Sequence, residues 1–343
     1  MTKAPEQTVA QLNALVRAKT KDAGARAHSL ETLPGHAGFS YSFILDRSDG
    51  GSPAGKLVVR IAPPAVKISG PADIVRQAKI MASLADTEVP VPPVYWFGDE
   101  AEYFDRPYMV VGFLDGFKLI ETSLTFKVES ALEQEKVKVL ARRGIDTLAT
   151  LHRVPWEPRR GAFGDPFPLS DEMKRLDYLL DRPTLDPAVV ARAPELRERL
   201  RSTLPTEARI GCVHGDFQWS NVLFNDERPI ALIDWEISSI GPTLLDVGWV
   251  SFFADADSFA GGGFGRMAPL SPDEIADAYS SAAGVPVAMR EVRWFRAFCG
   301  YRFGVITCFN LMLHRRGKRH DPQWEETGKS APRMFERGLE LVG

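Results

Sequence analysis

The spacing of apolar residues divides the chain into a strand-rich first third and a helical remainder. Residues 5–19 have helical periodicity, residues 30–115 contain short apolar runs around one helix, and helical spacing dominates from about residue 128. Helices are also predicted over residues 71–85, 129–152, 170–181, 187–203, 272–284 and 287–316. Strands followed by a long run of helices indicate an α+β protein.

Short apolar runs bounded by polar or turn residues predict a buried hairpin in the second half of the chain. These runs are Ile210–Val213, Val222–Phe224 and Ile230–Ile233. The first run leads into the triplet His214-Gly215-Asp216, Asn221 follows five positions after Asp216, and Asp234 directly follows the third run. The hairpin would hold these oxygen-bearing side chains on one rigid frame.

Asp216, Asn221 and Asp234 are the side chains that phosphoryl transfer requires. A carboxylate such as Asp216 can accept the proton of an attacking hydroxyl and orient that hydroxyl in line with the γ-phosphate. Mg²⁺ prefers oxygen ligands, usually one or two from protein, and Asn221 and Asp234 supply them. The alternative is that His-Gly-Asp is an ordinary turn and Asp-Trp-Glu the end of a strand.

The same residues carry a family resemblance. HGDxxxxN followed by an IDWE segment resembles the aminoglycoside phosphotransferases and choline kinases, relatives of the protein kinases in which HGD replaces HRD. IDWEISSIGPTLLDVGW most resembles the branch also found fused to acyl-CoA dehydrogenases, although Gly241-Pro242-Thr243 lacks the acid of that branch's usual Gly-Asp-Pro. The resemblance implies a bilobal protein-kinase-like fold. A small β-rich nucleotide-binding lobe would span residues 1–115, with a hinge at about 108–116 and a mostly helical catalytic and substrate lobe over 116–343.

The resemblance also implies roles for residues of the second lobe. Asp216 would be the catalytic carboxylate, and Asn221 and Asp234 would be the Mg²⁺ ligands. Asp246 would be a buried acceptor that braces the catalytic loop. His214 is predicted to be structural, because the preceding apolar strand directs it inward, where a neutral imidazole can hydrogen-bond to backbone.

A kinase-like first lobe needs a cationic side chain on a strand and an acid on a helix to hold that cation. Arg60, on a predicted strand over residues 56–61, stands where the family carries its nucleotide-binding Lys or Arg. Gln77 stands in the place of the ion-pairing Glu of relatives. Its amide can accept a hydrogen bond from Arg60 but cannot match a charge-assisted pair. The alternative is that Gln77 is a helix-surface residue.

Two other segments of the first lobe are expected to contact the nucleotide. The turn over residues 33–41 would cover the phosphates and contains Gly35, Gly38, Phe39 and Ser40. The strand 107–116 would be the hinge, with adenine bound to backbone near Gly112 and Leu114 and with apolar walls from Val58, Met109 and Val111. The alternatives are a plain hairpin turn and a β-hairpin that turns at Asp115-Gly116.

Composition and charge restrict the possible partners. The chain has 343 residues, 44% of them hydrophobic, which is enough for two lobes with cores. The net charge of −3 gives no basic field for nucleic acid, and no segment approaches the roughly 20 apolar residues of a membrane span. Cys212, Cys299 and Cys308 lack metal-site spacing and cannot all pair, which favours a reducing compartment, the cytoplasm. The oligomeric state is unknown from these features.

The acceptor is the least determined part of the prediction. A site for cationic aminoglycosides or choline should carry carboxylates or an aromatic cage. The aromatic-rich second half lacks an obvious acidic ring and therefore favours a neutral or weakly polar alcohol, with Trp235, Glu236, Trp249 and Asp255 as candidate contacts. We predict Mg²⁺-dependent transfer of the γ-phosphoryl group of ATP or GTP to a hydroxyl of a small molecule. A nucleotide-binding regulatory protein without turnover, motivated by Gln77, and a scaffold that binds no nucleotide are the alternatives.

Overall fold

A computed structural model describes residues 5–33, 39–63, 73–119, 131–182, 185–262 and 268–343. The strands are β1 (Arg26–Thr32), β2 (Phe39–Asp46), β3 (Gly55–Ile61), β4 (Val94–Gly98), β5 (Tyr108–Gly112), β6 (Ile210–Val213), β7 (Val222–Asn225), β8 (Arg228–Leu232) and β9 (Ser239–Pro242). The helices are α1 (Pro5–Thr20), α2 (Ile74–Leu84), α3 (Ala101–Phe104), α4 (Ala131–Arg153), α5 (Arg160–Phe163), α6 (Leu169–Leu180), α7 (Ala193–Ser202), α8 (Leu244–Phe253), α9 (Pro272–Ala283), α10 (Met289–Arg315), α11 (Gln323–Gly328) and α12 (Ala331–Val342). The predicted α+β class is confirmed.

The chain separates into two compact units. The strand-rich unit contains Met1–Phe117 together with Ile230–Ile237, and the helical unit contains Lys118–Pro229 together with Ser238–Gly343. The segment Ile230–Ile237 therefore belongs with the strands of the first third, although it lies far along the chain. One hydrogen bond that connects it to the first third is donated by the Leu232 N–H to the Pro90 carbonyl at 2.8 Å.

The strand-rich unit is built on an antiparallel sheet in the order β1-β2-β3-β5-β4. Side chains alternate along β3, so that Leu57, Val59 and Ile61 are buried while Val58 and Arg60 point to the opposite face. The buried residues join a core with α1, α3 and neighbouring strands. Helix α2 contacts β4 and β5. It begins at Ile74 because the Asp73 side chain caps it by accepting from the Arg76 N–H.

The helical unit is organised around α10, which contacts α6, α7, α8, α11 and α12. Its interior contains stacked aromatics such as Trp294 and Phe298, whose ring centroids are 5.4 Å apart. Helix α8 approaches α10 closely at Gly248, where a Cβ atom would lie 2.7 Å from backbone of Phe295. A side chain at position 248 would therefore push the two helices apart.

Several elements follow local signals in the sequence. Helix α9 matches its predicted range because Ser271 and Glu274 form a capping box and Gly284 ends the helix with a φ of 67°. The predicted hairpin is only partly correct, since β7 pairs with β8 but β6 pairs with β9. Strand β1 and helices α8 and α12 were not expected as separate elements. In the described parts of the chain, no helix combines the length and apolarity needed to cross a membrane.

Candidate functional site

The His-Gly-Asp triplet directly follows strand β6 and begins an irregular loop. His214 is fully buried, as predicted, and Gly215 has a φ of +85°, which a residue with a side chain rarely adopts. This turn carries Asp216 away from the strand. A short 3-10 turn over Trp219–Asn221 then closes the loop before β7 begins.

The side chain of Asp216 is held by three neutral donors. Its Oδ1 accepts from the Gln218 amide and from the Trp249 indole N–H, each at 2.7 Å. Its Oδ2 accepts from the Asn221 amide at 3.2 Å, and the same amide donates to the Asp216 carbonyl at 2.8 Å. Hydrogen bonds on both oxygens fix the orientation of a carboxylate, which is what positioning of an attacking hydroxyl requires.

A second carboxylate, Asp246 of α8, holds the loop through hydrogen bonds to its backbone. It is completely buried, and its oxygens accept from the backbone N–H groups of His214 and Gly215, both at 2.7 Å. The imidazole of His152 lies 3.1 Å from Asp246 Oδ2 through Nε2, and its Nδ1 lies 2.7 Å from the Tyr279 hydroxyl. Burial raises the pKa of the Tyr279 hydroxyl, which keeps it protonated as a hydrogen-bond donor.

The support from His152 was missed in the sequence. That residue is the last of the helix predicted over residues 129–152, and it lies in the last turn of α4. The signal that points further is the pairing of a histidine with an apolar helix face, which requires an internal hydrogen-bond partner once the helix packs.

In the strand-rich unit, the sheet register brings several predicted nucleotide contacts to one face. Arg60 is paired with Ser40 of β2 and with Met109 of β5, and Val58 is paired with Val111. Residues directly opposite each other in an antiparallel sheet point to the same side. Val58 and Arg60 are partly exposed, whereas Met109 and Val111 are buried.

The guanidinium of Arg60 contacts three acceptors on this face. Its Nη1 donates to the Gln77 amide oxygen at 3.1 Å and lies 3.9 Å from Asp234 Oδ1. Its Nη2 donates to a carboxylate oxygen of Glu236. The Arg76 guanidinium donates to the Glu236 carbonyl at 3.3 Å. Arg60 is therefore held by a carboxylate even though Gln77 supplies none.

Glu236 was considered in the sequence only as a candidate acceptor contact, and the structure corrects this. Its carboxylate binds Arg60, which is one of the predicted nucleotide residues. No local signal in the sequence points to this contact, because Asp234 has a left-handed backbone and the side-chain alternation of a strand does not continue through it. Asp234 and Glu236 both approach Arg60.

Asp234 and Asn221 have the properties expected of magnesium ligands. The Asp234 side chain is 42% exposed, and its backbone is in the left-handed region at a φ of 68°. Asp tolerates this conformation better than most residues, and such strain is common at functional sites. Asn221 gives its NH₂ group to Asp216, so its amide carbonyl oxygen is the atom through which it could bind a metal ion. Within the described residues, no group of three or more His, Cys, Asp and Glu side chains is arranged around a metal position.

The predicted hinge residues end β5. The Gly112 N–H donates to the Pro93 carbonyl at 2.9 Å, and the Phe113 N–H donates to the Lys56 carbonyl at 3.3 Å. These two N–H groups are engaged within the protein, so an adenine edge would have to be read by other backbone groups. Leu114, the next residue, is half-buried.

Two other predicted site residues, Phe39 and Trp235, have different surroundings. Phe39 packs against the core on the side of the sheet opposite Arg60. Trp235 is buried, and its indole N–H donates to the Leu232 carbonyl at 2.9 Å. Gly35 and Gly38 lie outside the described residues.

Asp255 and Trp249 also differ from their predicted role as acceptor contacts. Asp255 is buried and accepts from Arg296 at 2.6 Å and from Arg337 at 2.8 Å, so its charge is matched inside the protein. Trp249 is buried, and its indole N–H donates a hydrogen bond to Asp216. Both side chains therefore have partners inside the protein, whereas they were predicted to contact a neutral or weakly polar acceptor.

Comparisons with known proteins show the family to which the chain belongs. A model of the "Phosphotransferase enzyme family" matches residues 29–295. The probable acyl-CoA dehydrogenase IBR3 of Arabidopsis thaliana is 25% identical over 292 residues, covering 79% of this chain and 35% of that protein. Acyl-CoA dehydrogenase family member 10 of Mus musculus is 26% identical over 200 residues, covering 57% of this chain and 18% of that protein. The chain thus spans about a third or less of these relatives.

Solved structures show the same fold. A Ralstonia eutropha protein assigned as an aminoglycoside phosphotransferase has a TM-score of 0.75 and 21% identity, covering 97% of both chains. A choline/ethanolamine kinase family protein of Mesorhizobium loti has a TM-score of 0.60 and 18% identity, covering 98% of this chain and 99% of that one. An aminoglycoside phosphotransferase mutant in complex with ADP and hygromycin B has a TM-score of 0.60 and 17% identity, covering 97% and 98%. The predicted kinase-like fold is confirmed.

Proposed function

This chain belongs to the phosphotransferase enzyme family, and from that premise we propose that it is a small-molecule kinase. It transfers the γ-phosphoryl group of ATP or GTP to a hydroxyl group of a small acceptor. The observation that carries the proposal is the Asp216 carboxylate, oriented by three side-chain donors on a loop that buried Asp246 secures. Asp216 accepts a hydrogen bond from the acceptor hydroxyl and aligns its oxygen with the phosphorus.

The nucleotide is assigned to the face of the sheet that carries Arg60. Arg60 steadies the α- and β-phosphates, because a guanidinium donates in a planar fork that matches phosphate oxygens. Ser40 and the accessible part of Val58 lie on the same face. With the Gly112 and Phe113 N–H groups already engaged, the Leu114 backbone is the proposed contact for adenine.

Mg²⁺ is proposed as the metal because the available donors are hard oxygen atoms. Asp234 of the strand-rich unit and Asn221 of the helical unit each offer one oxygen to such an ion. The small number of acidic side chains agrees with Mg²⁺, which retains water and takes further ligands from the phosphates. The bound ion would neutralise charge on the phosphates during transfer.

An acceptor screen that follows ADP formation tests the function. The library should contain aminoglycosides, macrolides, choline and ethanolamine, which the names of the structural neighbours suggest, and hydroxyacyl thioesters of coenzyme A, which the names of the sequence relatives suggest. The aromatic-rich helical unit favours an acceptor of low charge. Acceptor-dependent ADP formation that disappears in Asp216→Asn is the expected result.

A nucleotide-binding regulatory protein without turnover is the second candidate, and Gln77 is the observation that motivates it. Such a protein would bind Mg-ATP but form no ADP with any alcohol. The Glu236 carboxylate on Arg60 favours the enzyme, because the cation retains a charged partner.

The three cysteines are unpaired and buried, in keeping with the proposed cytoplasmic location.

A further inference from the structure

Arg60 has a charged partner that does not come from helix α2. Position 77 of that helix carries Gln, which offers a neutral oxygen at 3.1 Å from Arg60 Nη1. The carboxylate on the other guanidinium nitrogen belongs to Glu236, which is 176 positions away in the chain. We propose that Glu236 is the anionic positioning residue for Arg60, taking over the role that the helix acid has in relatives. This inference rests on the proposed function, since the role of Arg60 is to bind nucleotide phosphates.

The surroundings make this pair stronger than a surface ion pair. The side chains of Arg60 and Glu236 are 16% and 22% exposed, so solvent screens their attraction only in part. The hydrogen bond between them is charge-assisted, whereas the one to Gln77 has only one charged partner. Of the two described carboxylates beside Arg60, that of Glu236 is the nearer one.

The Glu236 backbone is fixed independently of its carboxylate. Its carbonyl accepts from Arg76, which lies on α2 beside Gln77. The carboxylate is thus presented to Arg60 from a segment that is tied to the same helix. A neutral variant of Glu236 would keep the hydrogen bond from Arg76 to the backbone carbonyl. Such a variant therefore tests the carboxylate charge without changing the backbone conformation at position 236.

The position of Glu236 connects the phosphate-binding cation with the proposed metal ligand. Asp234 lies two residues before Glu236, and its carboxylate is 3.9 Å from Arg60 Nη1. One guanidinium therefore lies beside both acids of the Asp-Trp-Glu triplet. We expect Arg60 to be ordered before nucleotide binds, which lowers the entropy cost of binding.

Nucleotide affinity of charge variants tests this assignment. Displacement of a fluorescent nucleotide by ADP and by ATP should be measured for the wild type, Glu236→Gln, Gln77→Glu and the double variant Gln77→Glu/Glu236→Gln. We expect Glu236→Gln to raise the Kd for both nucleotides about tenfold or more, as loss of a hydrogen bond between charged groups does. The double variant should recover most of that loss, because it returns a carboxylate to Arg60 from the helix.

A matched control separates this effect from a change in net charge. Glu88 is an exposed glutamate in the same unit, after the end of α2, and Glu88→Gln removes the same charge. It should leave nucleotide affinity unchanged. If Glu236→Gln lowers Tm by more than about 5 °C, the Glu236→Asp variant replaces it, since it keeps the carboxylate on a shorter stem and should bind with intermediate affinity.

The outcomes distinguish this inference from the proposed function. A wild-type chain that binds neither nucleotide would refute the proposed function and, with it, the role of Glu236. A wild-type chain that binds nucleotide while Glu236→Gln binds equally well would refute the role of Glu236 alone. Failure of Gln77→Glu to improve the affinity of a folded Glu236→Gln variant would also overturn it, because the two acids would then not act on the same cation.

Discussion

The Asp216 loop and the Arg60 face are held by different kinds of interaction. Around Asp216 the donors are neutral amides and an indole, and the supporting carboxylate Asp246 is completely buried. Around Arg60 two carboxylates approach a partly exposed cation. The first arrangement fixes one geometry, because buried hydrogen bonds are costly to break. The second keeps charge close to solvent, where a charged ligand can reach it.

This difference suggests a division of work between the two regions. A rigid carboxylate suits the chemical step, which depends on alignment within a fraction of an ångström. A partly exposed cation suits binding, because phosphate oxygens can reach its guanidinium group. Substitutions around Asp216 should therefore change kcat, and substitutions around Arg60 should change KM or Kd for the nucleotide.

The sharpest test of this division is the pair Asp216→Ala and Asp234→Ala. We expect Asp216→Ala to reduce kcat by about 10³–10⁴-fold, because the hydroxyl loses its acceptor, with nucleotide Kd within about threefold of the wild type. Asp234→Ala should raise the Kd for Mg-ATP about tenfold or more. Steady-state kinetics and nucleotide titration with and without Mg²⁺ measure both. Unchanged turnover in Asp216→Ala would refute its assignment.

Asp234→Asn is the companion variant for the metal role. Asn accepts the left-handed backbone that Asp234 adopts, so this substitution removes the charge without the strain that Ala would introduce. If Asp234→Asn binds Mg-ATP normally while Asp234→Ala does not, backbone conformation and not metal ligation explains the loss.

A buried ion pair in the helical unit should affect stability instead of binding or chemistry. Burial opposes the charge of Asp255, but Arg337 and Arg296 outweigh it and hold the pKa of Asp255 below its ordinary value. We expect Asp255→Asn to lower the free energy of unfolding at pH 7 by about 3–5 kcal/mol, because two arginines lose their partner. Urea unfolding measures the change.

The pH dependence of this effect follows from the sign of the shift. A carboxyl group with a lowered folded-state pKa stabilises the protein above its unfolded pKa of about 3.9, and that stabilisation is lost as pH falls through the folded-state value. The difference between the wild type and Asp255→Asn should be constant from about pH 7 to 5 and should shrink below about pH 4. Asp257→Asn is the control, because that side chain is 70% exposed and lies 3.8 Å from Arg337. A difference that stays constant down to pH 2 would contradict this explanation.

Asp246→Asn tests whether the brace acts through its charge. The amide would present an NH₂ group to backbone N–H donors that now meet a carboxylate oxygen. We expect kcat to fall about 100-fold and the free energy of unfolding to fall by about 1–3 kcal/mol, with little effect on nucleotide Kd. A loss of nucleotide affinity larger than the loss of kcat would break the division between the two regions.

Trp249→Phe should have the smallest effect. It keeps an aromatic ring but removes one of the two donors to Asp216 Oδ1. We expect kcat to fall about tenfold, equivalent to about 1.4 kcal/mol, without a change in nucleotide KM. Trp294→Phe is the matched control, since its indole N–H donates to Thr203 instead. Equal kinetics for the two variants would show that the Trp249 hydrogen bond does not orient Asp216.

The sequence determined those parts of the molecule that depend on neighbouring residues. Helix α9 could be located from its capping box and terminal glycine, and β3 from its alternation. The spacing of His214, Asp216, Asn221 and Asp234 identified the candidate chemistry, because the first three lie in one loop and Asp234 directly follows the next but one apolar run. These features require information from only a few consecutive residues.

Only the tertiary structure decided which distant residues became partners. His152 contacts Asp246 across 94 positions in the chain, and Glu236 contacts Arg60 across 176, whereas the sequence pattern offers only Gln77 as a partner for Arg60. The pairing of β6 with β9 is similarly non-local. Such contacts form when packed elements bring side chains together, and neither period nor propensity encodes them. The substitution of Gln for an acid could therefore be interpreted only after the fold had placed Glu236 beside Arg60.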